Sequence, residues 1–169
     1  MKNSLVAALV CLSLGGCLGY HIGPAKPYYL RDVHTISVPT FRNDTLIPRI
    51  EVLVTDTVIK QFQQDGTFRI GNDQNADAIL TAEITRISRS PARSIRGNVL
   101  ATSEFNLVMR VRYKLVGRDG KPLAPPGEVT GTTSFFVGTD VTTDERQALP
   151  LLADDFARNA TTLLVEGTW

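Results

Sequence analysis

Between Thr102 and Val116 the chain alternates apolar and polar residues almost without a break. Phe105, Leu107, Met109, Val111, Tyr113 and Leu115 fall on one side of an extended backbone. Glu104, Asn106, Arg110, Arg112 and Lys114 fall on the other. A period of two belongs to a β-strand with one face buried and one face wet. The fold must therefore supply a cover for that apolar face.

Two segments have the pattern to provide it. From Ile47 to Asp65, the residues Ile50, Leu53, Val54, Thr57, Val58 and Phe62 recur at helical spacing. Asp44 or Thr45 is placed to cap this helix, Pro48 falls in its first turn, and Gly66 supplies the stop. Near the C-terminus, Leu149, Leu152, Phe156, Ala160 and Leu163 form a second stripe, which Gly167 ends. Thr142 to Glu145 fits the capping box S/T-x-x-E. Pro150 lies beyond the first turn, so either it kinks the helix or the continuous helix starts near Ala148.

The remaining elements are strands. Val33 to Thr40 reads as one, ended by Pro39. Ala76 to Ser88 places Ala78, Leu80, Ala82 and Ile84 on one face. Glu128 to Thr139 places Val129, Gly131, Thr133, Phe135 and Val137 on one face. Phe68 to Ile70 is a helix extension or a strand stub, Ser90 to Asn98 reads as a loop, and Gly117 to Gly120 as a turn. The order is β-α-β-β-β-α. The expected class is α+β, with two helices packed on one face of a four-stranded mixed sheet.

The N-terminus sets the location. After Lys2, the run from Ser4 to Leu14 is almost wholly apolar. It matches a signal-peptide core of ~7–15 residues and falls short of the ~20 that span a bilayer. Leu14-Gly15-Gly16-Cys17 resembles the bacterial lipobox, in which the cysteine becomes the first mature residue and carries the lipid. This divides the chain into a signal peptide at 1–16, a lipidated tether at 17–31 and a domain at 32–169. Leu18 follows the cysteine where an Asp would favour the inner membrane, so an outer membrane is expected, with the domain facing the periplasm or a barrel lumen.

Composition narrows the chemistry. The chain has 2 cysteines. Cys11 leaves with the signal peptide and Cys17 is capped, so no thiol remains for a disulfide, a zinc site or a nucleophile. His21 and His34 sit in no catalytic context, no metal-ligand cluster is visible, and no phosphate loop is present. No enzyme, cofactor or metal is expected. The formal charge of +1 falls to zero once Lys2 is removed, which gives no reason to expect nucleic acid. Charge is nonetheless unevenly placed: Arg86 to Arg118 is strongly basic and Asp140 to Glu166 is acidic. Arg86, Arg89, Arg93 and Arg96 crowd into RISRSPARSIRGN without an acid among them. Arginine forks bind phosphate bidentately, so these four are the candidate anion-binding residues.

Several short motifs resemble the LptE family. Cys17-Leu18-Gly19-Tyr20-His21-Ile22 resembles its C-G-[F/Y]-x-[L/I] opening, with one extra residue. Ile36 to Thr45, ISVPTFRNDT, resembles its first strand and F-x-N-x-T turn, and Ala76 to Leu80 the start of its second strand. The element order is also the family's. The resemblance implies an outer-membrane lipoprotein that plugs the LptD β-barrel, helps it assemble and assists lipopolysaccharide insertion. Its partners are then LptD, lipopolysaccharide and the membrane holding its lipid. The pattern ISVPTFRNDT is also similar to N-terminal modules of TolB- and CsgG-like proteins, which leaves an envelope adaptor without lipopolysaccharide binding as the alternative.

Intact-mass measurement of the mature protein is expected to show Cys17 at the N-terminus bearing acyl chains. An unmodified Cys17 refutes the anchor.

Overall fold

The computed structural model describes residues 26–95 and 98–167, so Cys17, the signal peptide and Arg96 lie outside the described residues. A short 3-10 turn, Tyr28–Leu30, leads into the domain. The strands are β1 (Thr35–Ser37), β2 (Arg42–Asn43), β3 (Arg69–Ile70), β4 (Ala78–Ile95), β5 (Asn98–Gly117) and β6 (Gly127–Phe136). The helices are α1 (Ile50–Asp65) and α2 (Val141–Glu166).

The long β4–β5 antiparallel pair is the spine of the sheet. β6 joins β5 antiparallel, and β1 joins β4 parallel with β3 outside it. β2 pairs with β4 further along the same edge, as Arg42↔Glu83 and Asn43↔Ile84. The sheet thus has six strands, not the expected four. The cause is local. The expected strand is cut short at Ser37, before Pro39, which lacks an N–H, and a second short strand forms at Arg42–Asn43, within the F-x-N-x-T stretch read as a turn; the two meet β4 at different points. After the stop at Gly66, the N–H of Arg69 donates to His34 O at 2.9 Å, so the stub becomes an outer strand.

The expected loop at Ser90 to Asn98 is also corrected, because β4 continues to Ile95 and pairs Pro91 with Phe105. Proline is tolerated in strands at edges or irregularities. Among the described residues, no strand is paired on the other side of β4 beyond Ile84, and register shifts follow between Pro91 and Ile95.

A bulge between Ile84 and Arg86 controls which side chains face inward. Ala78, Leu80 and Ile84 are buried before it. After it the phase inverts, and Ile87 and Arg89 stand opposite Met109 and Leu107. In β5, Leu107, Met109, Val111 and Leu115 are buried, as are Val129 and Phe135 in β6. Burying each such side chain contributes about 1.5–3 kcal/mol against leaving it exposed.

Both helices join this same core. Ile50, Val54, Val58 and Phe62 of α1 are buried, as are Leu152, Phe156, Ala160 and Leu164 of α2. Phe41 and Phe156 meet edge to face, with centroids 6.5 Å apart. Gly131 lets α2 lie close on β6: a Cβ there would stand 2.6 Å from the Cβ of Phe156 and 2.8 Å from the Leu152 carbonyl oxygen. α2 also caps the β6 edge. Asn159 Nδ2 donates to Thr130 O at 2.9 Å, and the Thr132 N–H donates to Asp155 Oδ2 at 2.7 Å.

The helix starts differ from expectation for physical reasons. α1 begins at Ile50, because Pro48 disfavours the helical region at Ile47. Neither Asp44 nor Thr45 caps it. Arg49 precedes the helix in left-handed backbone (φ 62°), and Asn43 Nδ2 bridges Ile47 O and Glu51 Oε2, each at 2.9 Å. α2 is capped by Asp140 rather than by the Thr142–Glu145 box. Its Oδ1 accepts the Thr142 N–H at 3.0 Å and its Oδ2 accepts the Thr143 hydroxyl at 2.6 Å. The helix starts at Val141, so the alternative start near Ala148 falls away. Pro150 lies within it, on an exposed position.

Asp77 ties the parallel side of the sheet together. Its Oδ2 accepts the Thr35 hydroxyl at 2.8 Å, the Thr35 N–H at 2.9 Å and the His34 N–H at 3.1 Å. Arg118 NH2 lies 3.4 Å from Oδ1. Above all the Thr35 hydroxyl, then the Thr35 and His34 amides, lower its pKa from 3.8 to about 2; Arg118 adds less. A carboxyl depressed on folding stabilises the native state above its unfolded pKa, and that stability is lost as pH falls toward the folded value. The wild type is therefore expected to lose stability between about pH 4 and pH 2 in part through this group. Asp77→Ala should lower Tm at neutral pH and flatten that decline, read by thermal melts across the range.

Candidate functional site

The two faces of the sheet divide the candidate arginines. Arg86 pairs in register with Arg110 on the open face, and Arg89 pairs with Leu107 on the face that meets the helices. Arg89 NH1 bonds Glu145 Oε2 at 2.6 Å, and its guanidinium lies 4.9 Å from the Phe105 ring centre. It clasps the β4–β5 hairpin to the first turns of α2. Arg93 pairs in register with Glu104, and Arg96 lies outside the described residues. Sequence proximity grouped Arg86 with Arg89, and strand geometry sets the two on opposite faces.

The open face carries a second set of charges. Arg42 Nε stands 3.5 Å from Glu83 Oε1, and Arg112 NH2 stands 3.2 Å from Glu83 Oε2. Arg110 NH1 bonds Glu128 Oε1 at 3.0 Å. These residues cross the sheet from β2 through β4 and β5 to β6, with signs mostly alternating. Beside them lies an open depression of about 580 Å³, bordered by Arg42, Thr81, Glu83, Arg112, Lys114 and Glu128. All these pairs are solvent-exposed, so each adds at most ~1 kcal/mol to stability. Their arrangement bears on recognition more than on folding.

The alternation of β5 showed that Arg110, Arg112 and Lys114 share a face. It did not show that Arg42 and Glu83 complete the row. The available signal was the phase of the apolar residues in β4, which run on even numbers through Ile84 and resume at Ile87. A three-residue step in a strand marks a bulge.

Among the described residues, no group of three or more His, Cys, Asp or Glu is placed to hold a metal ion. Among them, no helix is long and apolar enough to cross a membrane.

The fold is thus a two-helix layer over a mixed sheet whose open face is lined by paired charges. The family model described as LptE, lipopolysaccharide-assembly, matches residues 33–164. The chain belongs to the LptE family. No curated protein sequence matches it. Among solved structures, it is similar to a minor lipoprotein from Acinetobacter baumannii, with TM-score 0.55 and 14% identity, over 80% of this chain and 95% of that one. It is also similar to uncharacterized lipoprotein B from Nitrosomonas europaea, with TM-score 0.50 and 13% identity, over 79% and 80% of the two chains. A third is hypothetical protein CT253 from Chlamydia trachomatis, with TM-score 0.54 and 6% identity, over 80% and 99%. At these identities the likeness is one of fold. The family match does not favour the TolB- or CsgG-like alternative.

The Arg89 clasp is expected to register as stability. Arg89→Ala should lower unfolding free energy by about 1 kcal/mol. A double-mutant cycle with Glu145→Ala should show coupling below about 1 kcal/mol, since Arg89 is 42% exposed.

Proposed function

We propose that this chain is an outer-membrane lipoprotein, anchored through Cys17, that occupies and helps assemble an LptD-type β-barrel and assists lipopolysaccharide insertion into the outer leaflet. The match of residues 33–164 to the LptE family carries the reading. The open face supports it. A barrel lumen is polar, and a sheet face bearing both signs of charge fits such a wall without burying unpaired ions. Non-covalent binding suits a mature domain with no thiol beyond Cys17. The basic run Arg86, Arg89, Arg93 and Arg96 is proposed to supply anion contacts for lipopolysaccharide phosphates. Arg89 does so only by giving up Glu145.

Purification of the lipidated protein from mild detergent extracts of its host is expected to bring down a large β-barrel. A preparation without one sinks the translocon reading. Depletion is expected to make cells permeable to large antibiotics and to reduce surface lipopolysaccharide; an adaptor elsewhere in the envelope would leave the surface unchanged.

A further inference from the structure

We propose that the turn Tyr28–Leu30 is a membrane-docking point. Tyr28, with Tyr29 beside it, seats in the interface of the bilayer that holds the Cys17 lipid, so the domain meets that membrane at two places. This rests on the Cys17 anchor and not on the barrel. Three observations lead there.

The first is exposure on a rigid support. Tyr28 is 77% exposed and Tyr29 39%. Single exposed apolar residues are ordinary on a soluble surface. These two adjoin and share one turn. The turn beneath them is fixed. Leu30 is fully buried, its N–H donates to Pro27 O at 2.9 Å, and the Val33 N–H donates to Leu30 O at 3.0 Å. Lys26 Nζ donates to Val33 O at 2.8 Å. The turn also packs against the end of α2, where a Cβ on Gly167 would stand 2.6 Å from Pro27 Cγ and 3.2 Å from the Tyr29 hydroxyl. The rings are therefore held by ordered backbone, and little conformational freedom is left to lose on docking.

The second is the chemistry of the side chains. Tyrosine joins an apolar ring to a polar tip and concentrates where hydrocarbon gives way to headgroups. The Arg31 guanidinium lies 4.0 Å from the Tyr28 ring centre. It covers one face of the ring and still leaves most of the side chain open. An arginine so placed keeps its charged head in water while its stem lies along apolar surface.

The third is position. The tether leaves the lipid at Cys17 and enters the described domain at Lys26, nine residues on and two before Tyr28. As a flexible coil this stretch spans about 15–18 Å. Tyr28 is thus delivered to the surface in which the lipid sits. A short tether gives an effective concentration in the millimolar range, so a contact too weak to hold a free domain holds this one. Leu46 is fully exposed as well, but it lies beside Ile84, whose carbonyl accepts the Asp44 N–H at 3.0 Å. That is about 20 Å along β4 from Ala78. Exposure alone does not separate the two sites; the tether does, and it points to the bilayer as the occupant at Tyr28.

The test uses the mature lipidated chain in lipid nanodiscs, with the mass of acylated Cys17 read first on the same sample. Trp169, the one tryptophan of the chain, is replaced in Trp169→Phe. Tyr28→Trp or Leu46→Trp then supplies a single reporter. Lipids brominated just below the headgroup act as quencher. The Tyr28→Trp variant is expected to be quenched about threefold or more above the Leu46→Trp variant and to emit at shorter wavelength. High salt should leave this difference in place, because ring burial is not an ion contact. A dye on Leu46→Cys, the one free thiol once Cys17 is acylated, reads how firmly the domain is held. Tyr28→Ser should speed its anisotropy decay, and Leu151→Ser, at another exposed apolar site, should not. Equal quenching at the two reporter sites, high or low, overturns the docking point. So does a difference that high salt abolishes, or a decay unchanged in Tyr28→Ser. An unacylated Cys17 overturns docking and anchor together, whereas an acylated chain without the quenching difference loses the docking alone. The assay contains no barrel, so none of these outcomes touches the translocon reading.

Discussion

Every other element of this domain depends on the antiparallel pairing of β4 with β5. The pair runs from Ala78↔Gly117 to Ile95↔Asn98. β1 and β2 dock on the outer edge of β4, and β6 on the outer edge of β5. Leu107, Met109 and Val111 give both helices a surface to cover. Because the side-chain period is two, a one-residue error in this pairing would turn the apolar face to water. The bulge at Thr85 is such a shift used deliberately. It allows Ile84 and Ile87, three residues apart, to serve the same core.

Much of this was legible in the sequence. The alternation in β5, the stripes of α1 and α2, and the stops at Gly66 and Gly167 all follow from local patterns that the fold keeps. What was not legible depended on pairing partners. Pro39 marks a break, but the sequence does not say that both fragments join the same strand. Pro91 signals a loop wherever a strand has neighbours on both sides; here no strand among the described residues pairs on one side, and the strand runs through it. Thr142 and Glu145 satisfy a capping pattern, yet Asp140 lies two residues before Thr142 and takes its free amide. Glu145 is thereby left for Arg89.

The candidate site shows the same divide. Counting arginines along the chain groups Arg86 with Arg89 because they are close in sequence. Residues three apart in a regular strand face opposite sides. The bulge lies before both, so it moves the two together and does not reunite them. The residue that does meet Arg86 is 24 positions away in sequence and is fixed by register alone. Charge clustering along a strand is therefore weak evidence of a common site, whereas charge clustering across strands is strong evidence once the register is known.

The domain's ends give this charged face a place relative to the proposed anchor. β4 starts, β5 ends and α2 ends at one end of the molecule. The first described residues pack there: a Cβ on Gly167 would meet Pro27 Cγ at 2.6 Å. The stretch from Cys17 to Lys26 reaches at most about 30 Å. From Ala78, the start of β4, Arg86 lies about 26 Å along the strand. Along the strands, the Arg86–Arg110 pair therefore stands about 26 Å from the end of the domain where the described chain begins. A linker of that reach spans the same distance, so the register of β4 and β5, and not the linker, sets where this charged face lies in the domain.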